Sequence, residues 1–396
     1  MTHISILITI FQINKNNIFI WQKLQILRFF TALYTFCRKI VENYKFFTNF
    51  VGQLYILDIM LKRIITSLLM SAMLSVATLL CSCQSSVSRY KTIDSFALGT
   101  FVQMTCLTDT PAAELTRIIA EIDQEAKASM SIFDESSLIS RINRNETDSL
   151  DRHIRFNIEL SAKYHELSNG AYDVTVKPLT SAWGFAEKSN ATENPNIDSL
   201  LEFVGFDKIA IAGDRLVKSD SRTQLDFNSI AKGYVVDLVA ERLDEMGIES
   251  YMVNIGGEIR CKGSNPRGND WTIGIETPYE GNFEQESIEK IIAISDSAVA
   301  TSGNYRRFHI TESGDKVAHT INPKTGYSVI SNLLSATVIA PTCAEADAAA
   351  TMFMAMGSGS ETLELAKYCE REYGWRYYLI YAEGEGYHIE ASQSLK

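Results

Sequence analysis

The chain has 396 residues, a formal net charge of −11 and 46% hydrophobic residues, which fits one large domain or two small ones. No basic block follows residue 83, so the composition excludes nucleic acid as a partner. In so acidic a chain, an anionic ligand has to be captured by local groups.

The first 59 residues are rich in Ile, Phe, Asn, Lys and Tyr and show no helical or strand periodicity that persists. A complete export signal begins at Met60. We therefore predict that Met60 is the true start and that residues 1–59 are a doubtful upstream segment. The alternative is an additional membrane-associated stretch.

Residues 60–82 have the pattern of a lipoprotein signal peptide. A basic start at Lys62-Arg63 precedes an apolar run from Ile64 to Leu80, which is too short and wrongly flanked for a stable membrane span. The run ends in Leu80-Cys81-Ser82-Cys83, which is typical of a bacterial lipoprotein cleavage box with Cys83 as the lipidated residue. We expect a protein of the bacterial cell envelope, lipid-anchored to a membrane and facing the periplasm or exterior. An uncleaved membrane anchor is the alternative.

A Ser-rich tether over residues 83–92 leads into a domain that we place at residues 93–396. Hydrophobic periodicity predicts strands and helices in mixed order. The predicted strands are Phe96 to Cys106, Lys208 to Ile211, Arg215 to Lys218, Tyr251 to Asn254, Trp271 to Thr277, Ile291 to Ala300, Leu334 to Ile339 and Tyr377 to Ala382. The predicted helices are one carrying Leu115 to Ala126, Ile158 to Leu167, one containing Lys232, and Ala344 to Met356. This order predicts an α+β fold, a single large domain of mixed, mostly antiparallel sheets with flanking helices.

Four cysteines follow Cys83, at wide spacing and without a CxxC pair, so the sequence holds no zinc or redox motif of that kind. Up to two disulfides in an oxidising compartment and four buried free thiols are equal alternatives. These cysteines are Cys106, Cys261, Cys343 and Cys369.

The run from Leu225 to Asp237 places an acid, a lysine and a glycine where a predicted strand ends and a helix begins. Asp226 closes the strand, and Lys232 and Gly233 follow in the first helical turns. Free N–H groups at a helix start favour an anion, and a lysine adds a full positive charge. The junction suits a phosphorylated ligand, although a capped turn with a lysine is the common structural alternative.

Asp347 and Thr351 stand four residues apart on a predicted helix, so both oxygen-bearing side chains lie on one face. A carboxylate and a hydroxyl are ligands that a hard cation such as Mg2+ accepts. The structural alternative is an acid in the first helical turn and a threonine bonded to the preceding turn.

Several short blocks stand in order along residues 93–396. They are Leu98-Gly99-Thr100, Met130-Ser131 with Ser136 to Asn143, Gly170 to Thr175, Leu225 to Asp237, Asn254 to Ile259 with Gly263, Ala300 to Tyr305, His319 to Gly326, and Ala344 to Thr351. In this order the set resembles the ApbE-type FAD:protein FMN transferases. The resemblance implies a fold built from two related halves.

The resemblance also implies site residues. It implies that Mg2+ is held by Asp347, Thr351 and the main-chain carbonyl of Ser229. The family usually has alanine at that last position, but a carbonyl ligand is indifferent to its side chain. Catalytic roles fall to His319 and Lys232, with the histidine acting as a general base or as a stabiliser of phosphate charge. The implied FAD contacts are Leu98, Phe133, Ala171, Tyr172, Asp173, Asp226, Lys232, Gly256, Gly257 and His319.

The implied activity is Mg-dependent transfer of the FMN moiety of FAD to a threonine or serine hydroxyl of a partner protein, with release of AMP. FAD is then a substrate. The implied partner is an exported acceptor with a Thr/Ser-containing tag, such as a redox-driven ion-pump subunit or a related electron-transfer protein. The alternatives are an FAD pyrophosphatase, in which water replaces the hydroxyl, and a non-catalytic FAD-binding lipoprotein. Phe133 favours transfer, because hydrolytic relatives carry a small polar residue there.

Overall fold

A computed structural model describes residues 18–48, 63–71, 89–186, 195–278, 287–304, 308–310 and 316–396. The chain divides into two units, Met1–Ser85 and Ser86–Lys396. In the first unit, Ile18–Thr48 and residues 63–71 are helical, although the sequence of residues 1–59 shows no persistent helical periodicity. No helix in the described ranges has the length and apolarity to span a membrane. Cys83 lies outside the described residues.

The second unit is organised around an eight-stranded sheet in the order β1-β2-β5-β6-β9-β12-β13-β14. All its strand pairs are antiparallel, and three further hairpins pair β3 with β4, β7 with β8, and β10 with β11. The strands are β1 Arg89–Ala97, β2 Thr100–Thr108, β3 Ile209–Ala212, β4 Arg215–Lys218, β5 Tyr251–Ile255, β6 Glu258–Lys262, β7 Trp271–Glu276, β8 Ile288–Ile294, β9 Ser297–Gly303, β10 Phe308–Ile310, β11 Lys316–Ala318, β12 Leu333–Ala340, β13 Arg376–Glu383 and β14 Gly386–Ala391.

The helices of this unit are α1 Ala112–Met130, α2 Leu138–Asn143, α3 Arg152–Leu167, α4 Lys177–Ala182, α5 Ile197–Leu201, α6 Ala231–Glu245, α7 Cys343–Met356 and α8 Ser360–Tyr373. Apolar faces of α1, α6 and α7 bury against one face of the large sheet and form the main core. The β7–β8 hairpin forms a second core with the strands on the opposite face, and a third cluster lies around Leu179 and Trp183. This confirms the predicted α+β architecture with mostly antiparallel pairing.

Two predicted strands are each interrupted by a tight turn. The strand expected over Phe96 to Cys106 is the β1–β2 hairpin, because Leu98 (φ 50°) and Gly99 (φ 72°) turn the chain. The strand expected over Ile291 to Ala300 is likewise divided into β8 and β9, with Asp296 at φ 46°. Leucine rarely adopts positive φ, so the residue type at Leu98 gives no sign of the first turn.

Other differences concern boundaries. The α3 helix begins at Arg152 rather than near Ile158, because the Asp151 side chain accepts the Ile154 N–H at 2.8 Å and caps it. The segment ending at Asp226 is buried but lies outside the sheets, and the Asp226 N–H donates to the Val174 carbonyl at 2.8 Å. The strand expected there is therefore wrong, while the helix start near Lys232 is confirmed.

All four cysteines that follow Cys83 are buried free thiols.

Candidate functional site

The candidate site lies where the N-terminal turns of α6 and α7 cross. Gly233 makes the crossing possible, since a Cβ built there would lie 2.3 Å from the Cys343 carbonyl oxygen and 2.8 Å from the Asp347 Cβ. No side chain larger than hydrogen fits between the helices. Lys232, the residue before Gly233, is therefore held beside Asp347.

Each of the two helices caps the other. The buried Asp347 of α7 accepts the Gly233 N–H of α6 at 3.0 Å. In return, Asp237 of α6 accepts the N–H groups of Cys343 and Ala344 at 2.9 and 2.8 Å. Helix N-termini expose free N–H groups and favour negative charge, so both carboxylates are well placed. Asp237 also forms an ion pair with Arg260 at 2.7 Å.

Lys232 lies between two buried carboxylates. Its ammonium forms an ion pair with Glu258, the first residue of β6. Burial opposes the charge on Lys232, but the Glu258 and Asp347 carboxylates outweigh that effect and raise its pKa. Burial and the Glu258 carboxylate raise the pKa of Asp347 to about 7, although Lys232 and the Gly233 N–H oppose the shift. The site therefore favours extra positive charge.

Tyr172 and Ser229 border the same cluster. The Ser229 hydroxyl donates to the Tyr172 hydroxyl oxygen at 2.8 Å. Burial raises the pKa of Tyr172, and the Asp347 carboxylate adds to the increase. The structure therefore brings Tyr172, Ser229, Lys232 and Asp347 together, although they are far apart in sequence.

Thr351 connects the α7 face to the strand beside it. Its hydroxyl lies 3.0 Å from the hydroxyl of Ser302 on β9. Two residues later, Asn304 accepts the Thr320 hydroxyl at 2.6 Å. This bond ties the segment that carries His319 to the end of β9. The His319 ring is half-buried, and its centroid lies 6.4 Å from that of Phe185.

Two hairpin tips lie side by side at one end of the sheet. Leu98-Gly99 turns β1 into β2, and Gly256-Gly257, with φ values of 63° and 104°, turns β5 into β6. A Cβ at Gly256 would lie 2.8 Å from the Thr100 side chain, so the tips touch. Because Glu258 follows the second turn directly, these tips adjoin the Lys232 cluster.

The other residues predicted to contact FAD differ in their surroundings. Asp173 is buried and accepts the Thr175 N–H, the Thr175 hydroxyl and the Phe206 N–H at 2.6 to 2.8 Å, so it has a structural role in its own loop. Asp226 is buried and accepts from Asn228 and Thr180, and burial raises its pKa. Ala171 is half-buried beside Tyr172. Phe133 is 65% exposed.

The chemistry of the cluster suits a hard divalent cation. No group of three or more His, Cys, Asp or Glu side chains within the described ranges has the spacing of a metal site. A site built from the Asp347 carboxylate, the Thr351 hydroxyl and the Ser229 carbonyl is of a different kind. Such oxygen donors, with water completing the shell, are what Mg2+ takes. Excess negative charge from Glu258 fits a cation as well.

Comparison with known proteins identifies the family. A model of the ApbE family matches residues 98–374. The chain belongs to the ApbE family. It is 32% identical over 357 residues to the FAD:protein FMN transferase of Haemophilus influenzae, covering 85% of this chain and 98% of that protein. It is 36% identical over 250 residues to the FAD:protein FMN transferase of Vibrio cholerae, covering 62% and 72%.

Solved structures of this family share the fold. The flavin transferase ApbE from Vibrio cholerae superposes with a TM-score of 0.67 at 30% identity, covering 78% of this chain and 98% of that one. The apo flavinyl transferase ApbE from Pseudomonas stutzeri gives a TM-score of 0.67 at 29% identity, covering 78% and 96%.

The sequence did not predict three residues of the candidate site: Gly233 as the crossing point, Asp237 as the α7 cap and Glu258 as the partner of Lys232. Gly233 and Asp237 stand in the α6 segment next to Lys232, and Glu258 follows the Gly-Gly turn directly. Their roles depend on contacts with residues more than twenty positions away. Helical periodicity in the sequence places Asp237 within α6 but does not show that its side chain caps another helix.

Proposed function

We propose that this protein transfers the FMN moiety of FAD to a threonine or serine hydroxyl of a partner protein and releases AMP. The acceptor oxygen forms a bond to the FMN phosphorus, and the bond from that phosphorus to the bridging oxygen breaks. AMP leaves with that oxygen, and the hydroxyl proton passes to a base or to solvent. Atoms balance without any oxidant or reductant.

Residues of this chain have distinct parts in that reaction. Lys232 supplies positive charge to the pyrophosphate, and the adjacent glycine turn at Gly256-Gly257 allows backbone to approach the nucleotide. Asp347, Thr351 and the Ser229 carbonyl would hold Mg2+, which supplies charge neutralisation on the phosphate oxygens when bound. His319 either takes the acceptor proton or stabilises phosphate charge. The fold contributes alignment, the main requirement of phosphoryl-type transfer.

The observation that carries the proposal is the convergence of Lys232, Ser229, Tyr172 and Asp347 at one helix crossing. Storage of FAD alone needs no cation site of this kind next to a lysine. The relatives named as FAD:protein FMN transferases support the same reaction for this chain.

The proposed setting follows from the N-terminal sequence. Lipidation at Cys83 would anchor the enzyme to a membrane of the bacterial cell envelope, facing the periplasm or exterior. The acceptor would be an exported protein with a Thr/Ser flavinylation tag, such as a redox-driven ion-pump subunit or a related electron-transfer protein.

One incubation distinguishes the possible activities. Purified protein is mixed with FAD, Mg2+ and a tagged acceptor, and AMP, FMN and flavinylated acceptor are separated. Transfer gives AMP and flavinylated acceptor in equal amounts, and an acceptor with the tag threonine replaced by valine stays unmodified. Free FMN with AMP would instead show a pyrophosphatase. Unchanged FAD under all metal conditions would contradict both and leave a binding protein.

A further inference from the structure

Glu258 carries a buried oxygen that the fold leaves unsatisfied. The residue is 2% exposed. Its Oε1 accepts from Lys232, whereas Oε2 has no hydrogen-bond partner in the part of the chain that the structure describes. Buried carboxylate oxygens without a partner are costly and rare, so this one calls for a functional explanation.

The charges around this oxygen do not cancel. Glu258 and Asp347 are both buried, and both carboxylates stabilise the protonated form of Lys232. Arg260 is paired with Asp237 at 2.7 Å, so that pair is neutral. When both carboxylates are ionised and Lys232 is protonated, these three groups carry one negative charge in excess. The FAD pyrophosphate would bring two more, and like charges in a partly buried site repel strongly.

We propose that Glu258 makes the binding of FAD depend on a bound divalent cation. This inference rests on the proposed function and concerns its first step, the binding of FAD. Without a cation, Glu258 pairs with Lys232 and its negative charge opposes the pyrophosphate. A cation adds two positive charges and removes that opposition. Binding of cation and FAD is therefore coupled, and by thermodynamic reciprocity each ligand strengthens binding of the other.

A purely positioning role for Glu258 predicts the opposite sign. If Glu258 only holds Lys232 ready for phosphate, its loss should weaken FAD binding with or without a cation. If it sets the coupling, Glu258→Gln should bind FAD more tightly in the absence of a cation. Glutamine keeps the shape of the side chain and removes only the charge.

The test measures FAD affinity by quenching of flavin fluorescence, in EDTA and in saturating Mg2+. We expect Glu258→Gln to bind FAD about tenfold more tightly than wild type in EDTA, and to gain about tenfold less from Mg2+. Glu258→Asp keeps the charge and should behave like wild type in EDTA. A second readout needs no FAD: more Mg2+ should be required to raise the melting temperature of Glu258→Gln.

The matched control is Glu249→Gln. Glu249 is exposed and lies just before β5, at the opposite end of that strand from the Gly256-Gly257 turn. Its replacement by glutamine removes the same charge as Glu258→Gln. It should match wild type in both measurements. Equal affinities of wild type and Glu258→Gln in EDTA, or weaker binding by the variant, would overturn the proposal. Wild type that binds no FAD at any Mg2+ concentration would instead overturn the proposed function itself.

Discussion

Substitution of Gly233 by alanine tests whether the crossing of α6 and α7 builds the site. In an isolated helix the change would stabilise by about 0.5–1 kcal/mol, because alanine is the better helix former. In this fold the new Cβ would meet the Cys343 carbonyl oxygen at 2.3 Å and its carbon at 2.7 Å. Both are backbone atoms of the facing helix, so neither can rotate away.

The two helices would have to separate, which costs about 1–3 kcal/mol as overpacking. Separation also stretches the bond from the Gly233 N–H to Asp347, a charge-assisted bond of about 1.5–3 kcal/mol. These losses outweigh the helix gain. We expect Gly233→Ala to lower the free energy of unfolding by about 3 kcal/mol, and Mg2+-dependent transfer to fall because Asp347 moves.

Urea unfolding followed by circular dichroism measures the loss. Gly359→Ala is the matched control, since a Cβ there meets only the Glu361 side chain, at 3.9 Å. That variant should lose less than about 1 kcal/mol. If Gly233→Ala proved as stable as wild type and kept full transfer, the helices would not be in contact at Gly233 and the site geometry would be wrong.

The remaining predictions concern four other side chains. Asp347→Asn should abolish Mg2+-dependent transfer yet raise the free energy of unfolding in EDTA by about 1–3 kcal/mol at pH 8. Burial raises the pKa of Asp347 to about 7, above its unfolded value, so wild type loses stability as pH rises from about 4 through 7. A stability difference that did not grow over that range would contradict this. Asp237→Ala should cost about 3–5 kcal/mol in urea unfolding, since Arg260 and two helix N–H groups lose their partner. His319→Ala should lower the saturated transfer rate more than FAD affinity, whereas weak binding with a normal saturated rate would make it a binding residue. Cys83→Ala should leave the protein unprocessed or release it from the membrane fraction, and a mature N-terminus elsewhere without acyl mass would refute the anchor.

Local spacing was enough to predict part of this site. Asp347 and Thr351 share a helix face because they stand four residues apart, and the start of α6 near Lys232 follows from its apolar periodicity. The α+β class followed from the mixed order of the predicted strands and helices, and the strands predicted at Lys208 to Ile211 and Arg215 to Lys218 pair as β3 and β4.

Tertiary contacts decided what the sequence could not show. Leu98 and Asp296 adopt positive φ inside predicted strands, and the Leu98 N–H donates to Asp123 on α1 at 2.7 Å. The helix thus stabilises a positive φ at Leu98 that no local propensity favours. Likewise the segment predicted as a strand ending at Asp226 lies outside the sheets, since the Asp226 N–H donates to the Val174 carbonyl in a loop. Burial and apolar character alone do not distinguish the two.

The reciprocal caps explain why the candidate cation site lies at this crossing. Asp347 reaches the start of α6 and Asp237 reaches the start of α7, so separating the helices breaks both caps at once. Asp347 is thus fixed through Oδ2 before any cation arrives, which lowers the ordering cost of binding. The same burial, with Glu258 nearby, makes its ionised form unfavourable. A cation that neutralises this charge should therefore stabilise the fold more than one held at an exposed carboxylate, because it relieves an electrostatic cost already present in the protein.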